Sequence, residues 1–400
     1  MLGGRWTGKL VSVVALAACG LAWGCAAEAD PAADEGENDV SEGAVVPITE
    51  PDETAPVSAL APQPLDTSAT ELIDIRGVGD SGWSKTHEAT PIEAEFGAAL
   101  DRFDRTGHGV RGDLSFINWE TVVGSRCTQF GSAYRAGASY AFVSRPENLD
   151  QAYARGFNLV ALSNNHTRDC HGSPEASSTG EVASVEMTAG AMARVDAGKD
   201  WLWSGIGDDA ADVRRARVRT FQIKGRAVKV AFASAYTGRA TCPRAACMND
   251  VRAVMTSLRD ADADVRILAM HSRASDDQDQ LARLGVEFVR DFNGDVVFGH
   301  GPHKWKPVRV VRKGAQFGGG TGVVFESLGN FLHPALGAQS RNFIGRALLD
   351  AHTLKLAQVQ LIPVANAGTE IRWSSTSAAE VDSNLRWSRT ERGVFANVKP

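Results

Sequence analysis

Acidic, amide and imidazole side chains follow five of the six strongest apolar runs in the sequence, at or near the point where each run stops. In chain order they are Asp80, Glu120, Asn165, His166, His271, His300 and His303. Oxygen and imidazole ligands without cysteine suit divalent ions such as Mn, Fe, Zn or Mg better than they suit a thiolate-binding metal. Two such ions can orient a water and neutralise a phosphoryl group during in-line attack. The residue types therefore predict metal-assisted hydrolysis.

The elements that must position these side chains alternate between short apolar runs and longer amphipathic stretches. The runs include ELIDIRGVGD, DLSFINWETVV, NLVALSNNH, AVKVAFASAY, DVRILAMHS and DVVFGHGPH, and residues 145–157 and 277–292 have a helical pattern. This alternation predicts an α/β domain with parallel strands. Ligands of open α/β sheets bind beyond the carboxyl ends of the strands, so we expect the polar residues to share one crevice. Two later runs, AQFGGGTGVVFESLGNF and LKLAQVQLIPV, are typical of antiparallel strands instead.

The first 70 residues have a different character from the rest. Residues 1–25 combine a basic start, a short apolar run and small residues before Cys19, which predicts an export signal of the lipoprotein type. Ordinary secretion without lipid attachment is the alternative. Residues 26–70 carry eleven acidic and no basic residues, and we expect a disordered tether. The folded domain is then predicted over residues 71–400.

The charge and the cysteines restrict the partners and the compartment. The chain has a net charge of -6, of which the tether contributes -11 and the signal +2, so residues 71–400 carry +3. No basic stripe with interleaved aromatic residues appears, which argues against nucleic-acid binding. Four cysteines remain in the folded domain, and in an oxidising compartment an even number predicts two disulfides. Of the three pairings we predict Cys127–Cys170 and Cys242–Cys247. A cysteine-based zinc site is the alternative, but the sequence contains no C-x-x-C pair of the kind that such sites use.

Six blocks of the sequence, in order, resemble a known family. They are GVGD at 77–80, FINWE at 116–120, SNNHTRD at 163–169, GIGDDAADVRRA at 205–216, GHGPH at 299–303 and ESLGNFL at 326–332. Together they resemble the CapA family, which is named for poly-gamma-glutamate capsule production and is similar in fold to calcineurin-like metallophosphoesterases. The resemblance covers about residues 71–365. It implies a four-layer α/β/β/α sandwich with a metal-binding cleft.

The resemblance also implies roles for individual residues. The implied ligands of two divalent ions are Asp80, Glu120, Asn165, His271, His303 and His300. His166 would protonate the leaving oxygen, and Asp169 would orient the imidazole of His166. The implied partners are a phosphoester or anionic polymer, the capsule-synthesis machinery and, through the lipid anchor, the membrane of the cell envelope.

Two other functions remain open at this point. The family usually has a His-Trp-Gly block where this chain has His271, Ser272 and Arg273, so a catalytically degenerate protein that binds an anionic polymer or a partner is the first alternative. The second is an SGNH-type esterase with Ser81 as its nucleophile. The sequence lacks the D-x-x-H that such an esterase needs near its C-terminus. The other histidines, His87, His108, His333 and His352, are interpreted as solvated or structural.

Overall fold

The computed structural model describes residues 71–105, 109–131, 140–273 and 275–398. The predicted signal with Cys19 and the predicted tether lie outside the described residues, as does His108. Within the described part of the chain, no helix is long and apolar enough to cross a membrane.

The first half of the described chain contains eight strands and three α-helices. The elements are β1 (Leu72–Ser81), α1 (Phe96–Phe103), β2 (Leu114–Trp119), β3 (Val122–Val123), β4 (Gln129–Phe130), β5 (Val143–Ser144), α2 (Glu147–Ala154), β6 (Leu159–Ala161), β7 (Cys170–Gly172), α3 (Glu181–Val195) and β8 (Leu202–Ser204). A single-turn helix, Asn165–Arg168, follows β6.

The second half ends in a series of strands. The elements are α4 (Ala210–Arg214), β9 (Arg217–Ile223), β10 (Arg226–Tyr236), α5 (Val251–Asp260), β11 (Val265–His271), α6 (Ser275–Asp291), β12 (Val296–His300), β13 (Val308–Arg312), β14 (Thr321–Phe325), β15 (Gln339–Asp350), β16 (Leu356–Asn366), β17 (Ile371–Trp373), β18 (Ser388–Arg389) and β19 (Val394–Asn397).

Two large mixed sheets contain most of these strands. The first has the order β18-β19-β16-β15-β1-β2-β6-β8, with β17 paired to β16, and the second has the order β13-β14-β12-β11-β10-β9. In the first sheet β1, β2, β6 and β8 run parallel to one another. In the second sheet β10, β11, β12 and β14 do the same. The carboxyl ends of these strands carry the predicted site residues.

Three apolar cores separate four layers. Between the two sheets, the ring of Phe116 stacks on that of Phe298 with centroids 4.7 Å apart. A second core joins the outer face of the first sheet to α1, α2 and α3, and a third joins the outer face of the second sheet to α5 and α6. Strands covered on both faces are mostly apolar, which explains the long apolar runs. The predicted α/β/β/α sandwich is confirmed.

A buried ion cluster joins the first sheet's central strands. Asp74 on β1 accepts hydrogen bonds from Arg76, with Nη2 to Oδ2 at 2.7 Å, and from Arg346 on β15, with Nη2 to Oδ2 at 2.8 Å. Burial raises the pKa of Asp74, but the charges of Arg346 and Arg76 outweigh it and hold the pKa below its usual value. Arg76 and Arg346 are also opposite each other in the antiparallel pair, so the cluster helps to fix the register of β1.

Several predictions of local structure can be compared with the fold. The second late apolar run, around β16, is antiparallel to β15 as predicted. The prediction for the first run is only partly right, because β14 is antiparallel to β13 but parallel to β12. The reason is that β14 lies inside the second sheet, between a parallel neighbour and an edge strand. Both predicted disulfides are confirmed, with Cα atoms 5.6 Å apart in Cys127–Cys170 and 5.7 Å apart in Cys242–Cys247.

Candidate metal centre

Asp80 lies at the centre of the site, near the end of β1, and is fully buried. Its Oδ1 accepts a hydrogen bond from Asn118 Nδ2 at 2.8 Å, and its Oδ2 accepts one from the Gly301 amide at 2.9 Å. Burial raises the pKa of Asp80, but the hydrogen bond with His303 and the charges of His271 and His303 hold it below its usual value. The carboxylate is therefore charged at neutral pH, as a metal ligand must be.

Two imidazoles from neighbouring strands meet beside Asp80. His271 and His300 end β11 and β12 and are opposite each other in the parallel pair. Their Nδ1 atoms are 2.7 Å apart, and each lies 3.6 Å from Asp80 Oδ1. Burial lowers the pKa of His300 to about 3, so this imidazole is neutral at physiological pH. A neutral imidazole is the form that binds metals.

Glu120 approaches from the other side of the site. It directly follows β2 and is fully buried. One of its carboxylate oxygens, Oε1, lies 3.6 Å from His271 Nε2 and 4.0 Å from His166 Nε2. Burying a carboxylate this deeply costs free energy unless a cation or hydrogen bonds compensate. Glu120 thus connects the imidazoles near Asp80 to the one predicted to act as an acid.

His303 completes the cluster from the loop after β12. Its Nδ1 is 2.7 Å from Asn330 Oδ1 and 3.4 Å from Asp80 Oδ2. The residue has a positive φ of 54°, which is uncommon outside glycine and asparagine and is often found at functional sites. An acceptor at Nδ1 fixes the tautomer of a histidine and leaves Nε2 available as a ligand atom.

Gly301 explains why this loop contains GHGPH. A Cβ at this position would lie 1.7 Å from the backbone oxygen of Ser272, and φ is +114°. Only glycine fits this close approach and this conformation. The approach brings the Gly301 amide to Asp80, so the loop both supplies His303 and orients the central carboxylate.

The ligand atoms form two groups that share one residue. Atoms of Asp80, His271 and His300 lie within 4.8 Å of one another, as do atoms of Asp80, Glu120 and His303. In addition, His300 Nε2 is buried and has no hydrogen-bond partner among the described residues. Carboxylate and imidazole donors of this kind suit Mn, Fe or Zn. The residues present therefore fit a bound metal.

His166 and Asp169 form a pair at the edge of this cluster. Asn164 caps the short helix that carries them, since its Oδ1 accepts the His166 amide at 3.0 Å and its Nδ2 donates to Asn118 Oδ1 at 3.3 Å. His166 Nδ1 is 2.8 Å from Asp169 Oδ2, while Nε2 faces Glu120. The ring of Phe142 lies against His166, with centroids 4.3 Å apart. One ring nitrogen is thus held by a carboxylate and the other is directed into the site.

A family model described as "Bacterial capsule synthesis protein PGA_cap" matches residues 84–335. The chain belongs to this family. Membership confirms the resemblance inferred from the six blocks and indicates a function related to bacterial capsule synthesis. Among curated proteins, no relative matches the chain.

Two solved structures are similar to this capsule-synthesis family member. One, from Mycoplasma pneumoniae, is described as a novel phosphatase; it is 12% identical, with 74% of this chain and 94% of that chain covered and a TM-score of 0.44. The other is a hypothetical protein from Thermus thermophilus; it is 12% identical, with 73% of this chain and 99% of that chain covered and a TM-score of 0.42.

The structure brings together most of the residues predicted for the site. Those in the cluster are Asp80, Glu120, His271, His300 and His303, with the pair of His166 and Asp169 at its edge. Asn165 is buried in the first position of the short helix, next to His166. Its role as a metal ligand stays a prediction.

Sequence reasoning missed two residues that hold the cluster, Asn118 and Asn330. Asn118 lies within β2 rather than at its end, and Asn330 lies in the ESLGNFL block without having been singled out. His333 was interpreted as solvated or structural, and its complete burial agrees with the structural interpretation. Burial lowers its pKa to about 3, with a further contribution from the charge of His166. Its ring contacts Phe142, with centroids 4.5 Å apart, and Phe142 in turn contacts His166. Its position directly after the ESLGNFL block was the available signal.

The esterase alternative gains no support from the structure. Ser81 is fully buried, and its hydroxyl donates to the backbone oxygen of Gly79 at 2.9 Å. Among the described residues, no hydrogen bond joins the Ser81 hydroxyl to a histidine. A serine nucleophile needs such a base within hydrogen-bond reach.

Proposed function

We propose that this chain is a metal-dependent hydrolase of the phosphoesterase type that acts in the production of a capsule or poly-gamma-glutamate exopolymer. The observation that carries the proposal is the position of Asp80, which belongs to both groups of potential ligands. A carboxylate shared in this way would help to hold both of the proposed divalent ions. Its low pKa keeps it charged in the pH range where a hydrolase works.

The proposed ligands divide between the two groups. Asp80, His271 and His300 would hold one ion, and Asp80, Glu120 and His303 the other, with Asn165 as a further ligand. When bound, such ions polarise a phosphoryl oxygen and activate a water for in-line attack. The hydrogen bonds of Asp80 with Asn118 and Gly301 keep its carboxylate in position for this role.

His166 is proposed to protonate the leaving oxygen. Its Nδ1 is 2.8 Å from the carboxylate of Asp169, which stabilises the protonated ring and directs Nε2 towards Glu120 and the cluster. A general acid positioned in this way contributes about 10²–10⁴-fold to a reaction rate. The side chain is almost completely buried, so water competes little for the proton.

The proposed place of action is the cell envelope, and it is supported by the family and by the pattern of the first 70 residues. A protein of bacterial capsule synthesis is expected at the cell envelope, and the predicted lipoprotein signal and tether would hold the domain close to the membrane surface. The substrate is proposed to be a phosphoester or an anionic polymer of the envelope. The capsule-synthesis machinery is the proposed protein partner.

The test combines metal analysis with turnover. Purified full-length protein should contain about two divalent ions and hydrolyse aryl phosphate monoesters or diesters. An Asp80→Ala variant should lose both ions and its activity, because both groups need this carboxylate. His352→Ala is the control, since this exposed histidine lies in the turn between β15 and β16. Folded protein that binds no metal and has no turnover would instead support the binding function, and direct binding of poly-gamma-glutamate would then be measured.

A further inference from the structure

We propose that the Cys127–Cys170 disulfide positions the pair of His166 and Asp169, so that hydrolysis depends on this covalent link. The inference rests on the proposed function, because it concerns the residue assigned there as the acid. It adds a positioning element that belongs to neither group of potential metal ligands. The disulfide joins segments 43 residues apart.

The disulfide is attached directly to Asp169. Cys170 is the next residue in the chain, and it is the position in β7 that faces Phe130 of β4. The Gly131 amide donates to the backbone oxygen of Asp169 at 3.0 Å. Cys127 begins the segment that includes Phe130 and Gly131. The covalent bond therefore holds the donor segment against the backbone of Asp169.

The carboxylate of Asp169 is held from the other direction. Its Oδ2 accepts the Phe142 amide at 2.7 Å and also contacts His166 Nδ1 at 2.8 Å. The ring of Phe142 packs against that of His166 at an interplanar angle of 44°. Asp169 thus links two backbone segments, those of Gly131 and Phe142, to the orientation of a single imidazole. A shift of either segment would move the imidazole.

The side chains around the disulfide are tightly packed, so a displacement of the disulfide is passed on to Asp169. Cys127 and Cys170 are almost completely buried in an apolar cluster with Val122 and Met187. The Cys170 amide donates to Ser184 Oγ on α3 at 2.7 Å. Tightly packed interiors transmit small displacements rather than absorbing them. A displacement of about 1 Å in a catalytic group can lower a rate by about 100-fold.

The second disulfide provides a matched control in the same chain. Cys242–Cys247 closes a short loop after β10, with a separation of 5 residues. Its loop contacts β10 through the hydrogen bond from the Tyr236 amide to the backbone oxygen of Ala246. Among the hydrogen bonds of the described residues, none joins Cys242 or Cys247 to Asp169. The loop does reach the segment before His166, since Ser163 Oγ donates to the Ala246 backbone oxygen at 2.6 Å. Loss of this disulfide therefore removes a covalent link near the same segment while leaving the backbone contact of Gly131 with Asp169 intact.

The experiment compares two double variants of the full-length protein, Cys127→Ser with Cys170→Ser and Cys242→Ser with Cys247→Ser. Serine variants are preferable to a reducing thiol because thiols bind metals. Turnover is measured with p-nitrophenyl phosphate, whose leaving group needs little protonation, and with an alkyl phosphate, whose leaving group needs it. Metal content and KM are measured in parallel.

We expect the first variant to keep its metal and its KM while kcat for the alkyl ester falls about 10- to 100-fold, with a smaller fall for the aryl ester. The control should retain the wild-type ratio of the two kcat values. An unchanged ratio in the first variant, or an equal loss on both esters together with loss of metal, would show a purely structural disulfide and overturn the inference.

A spectroscopic measurement separates this inference from the proposed function. In protein labelled with ¹⁵N-histidine, the Nδ1 proton of His166 should give a slowly exchanging downfield signal because Asp169 accepts its hydrogen bond. The signal should weaken or disappear in the Cys127→Ser, Cys170→Ser variant and persist in the control. If the wild type hydrolyses neither ester, the proposed function fails, and the signal still decides whether the disulfide positions His166. Persistence in the first variant overturns the inference.

Discussion

Substitution of Asp169 by asparagine tests the assigned acid with little damage to the fold. The asparagine oxygen can still accept the Phe142 amide that Asp169 Oδ2 accepts at 2.7 Å. The amide nitrogen replaces Oδ1, which has no hydrogen-bond partner among the described residues. The substitution therefore removes the negative charge facing His166 and leaves the backbone hydrogen bond from Phe142 possible.

The expected fall in kcat can be worked out from the hydrogen bond between His166 and Asp169, which the substitution weakens. The contact of 2.8 Å between His166 Nδ1 and the carboxylate is charge-assisted when the ring is protonated. Hydrogen bonds to charged groups contribute about 1.5–3 kcal/mol, and each 1.36 kcal/mol of barrier is about tenfold in rate. We expect Asp169→Asn to lower kcat by about 10- to 150-fold.

The assay is steady-state hydrolysis of an alkyl phosphate and of p-nitrophenyl phosphate, with metal content measured on the same samples. KM and metal content should stay at the wild-type level, because Asp169 belongs to neither group of ligands. Asp260→Asn is the matched control, since this exposed carboxylate at the end of α5 pairs with the adjacent Arg259. Unchanged kcat in Asp169→Asn, or a loss that follows metal content, would refute the assignment.

Three further predictions concern the residues that hold the site and the sheet. Asn118→Ala should lower metal affinity about 10- to 100-fold, measured by calorimetric titration, because Asp80 loses its amide donor. Gly301→Ala should lower the free energy of unfolding by about 1–3 kcal/mol and reduce metal content, because a Cβ there meets a backbone oxygen at 1.7 Å. Asp74→Ala should cost about 3–5 kcal/mol in urea unfolding, because it leaves two buried arginines without their carboxylate. Since folding lowers the pKa of Asp74, its contribution is present above the unfolded pKa of about 3.9 and is lost as the pH falls through the folded pKa.

The sequence was sufficient to predict which strand ends meet. Asp80, His271 and His300 end apolar runs, and parallel strands bring their carboxyl ends to one edge. The same reasoning placed His303, three residues after His300, in the crevice. Local pattern is informative here because the direction of a parallel strand fixes which end of it carries the site.

The residues that were missed depend on pairing between distant strands. Asn118 is opposite Asp80 in the β1–β2 pair, and this register is visible only once the sheet is assembled. Asn330 reaches His303 because its segment forms a parallel bridge with Asp80. His333 packs against the ring of Phe142, which is far away in the sequence. No local periodicity contains these long-range contacts.

The direction of β14 shows the same limit. Its residues follow a glycine-rich stretch that is typical of a hairpin, and it does form one with β13. Its other neighbour is β12, with which it pairs in parallel. In the chain β13 lies between β12 and β14, but in the sheet β14 lies between β12 and β13. Sequence pattern predicts that a strand exists, but its two neighbours are decided by how the whole sheet is packed.

The shared position of Asp80 is tested most directly by anomalous diffraction from crystals grown with Mn²⁺ or Zn²⁺. We predict two anomalous peaks on either side of its carboxylate, one also contacting His271 and His300 and the other also contacting Glu120 and His303. The account would be contradicted if crystals of the folded protein, grown with an excess of the ion, showed no anomalous peak beside Asp80 or showed peaks only elsewhere.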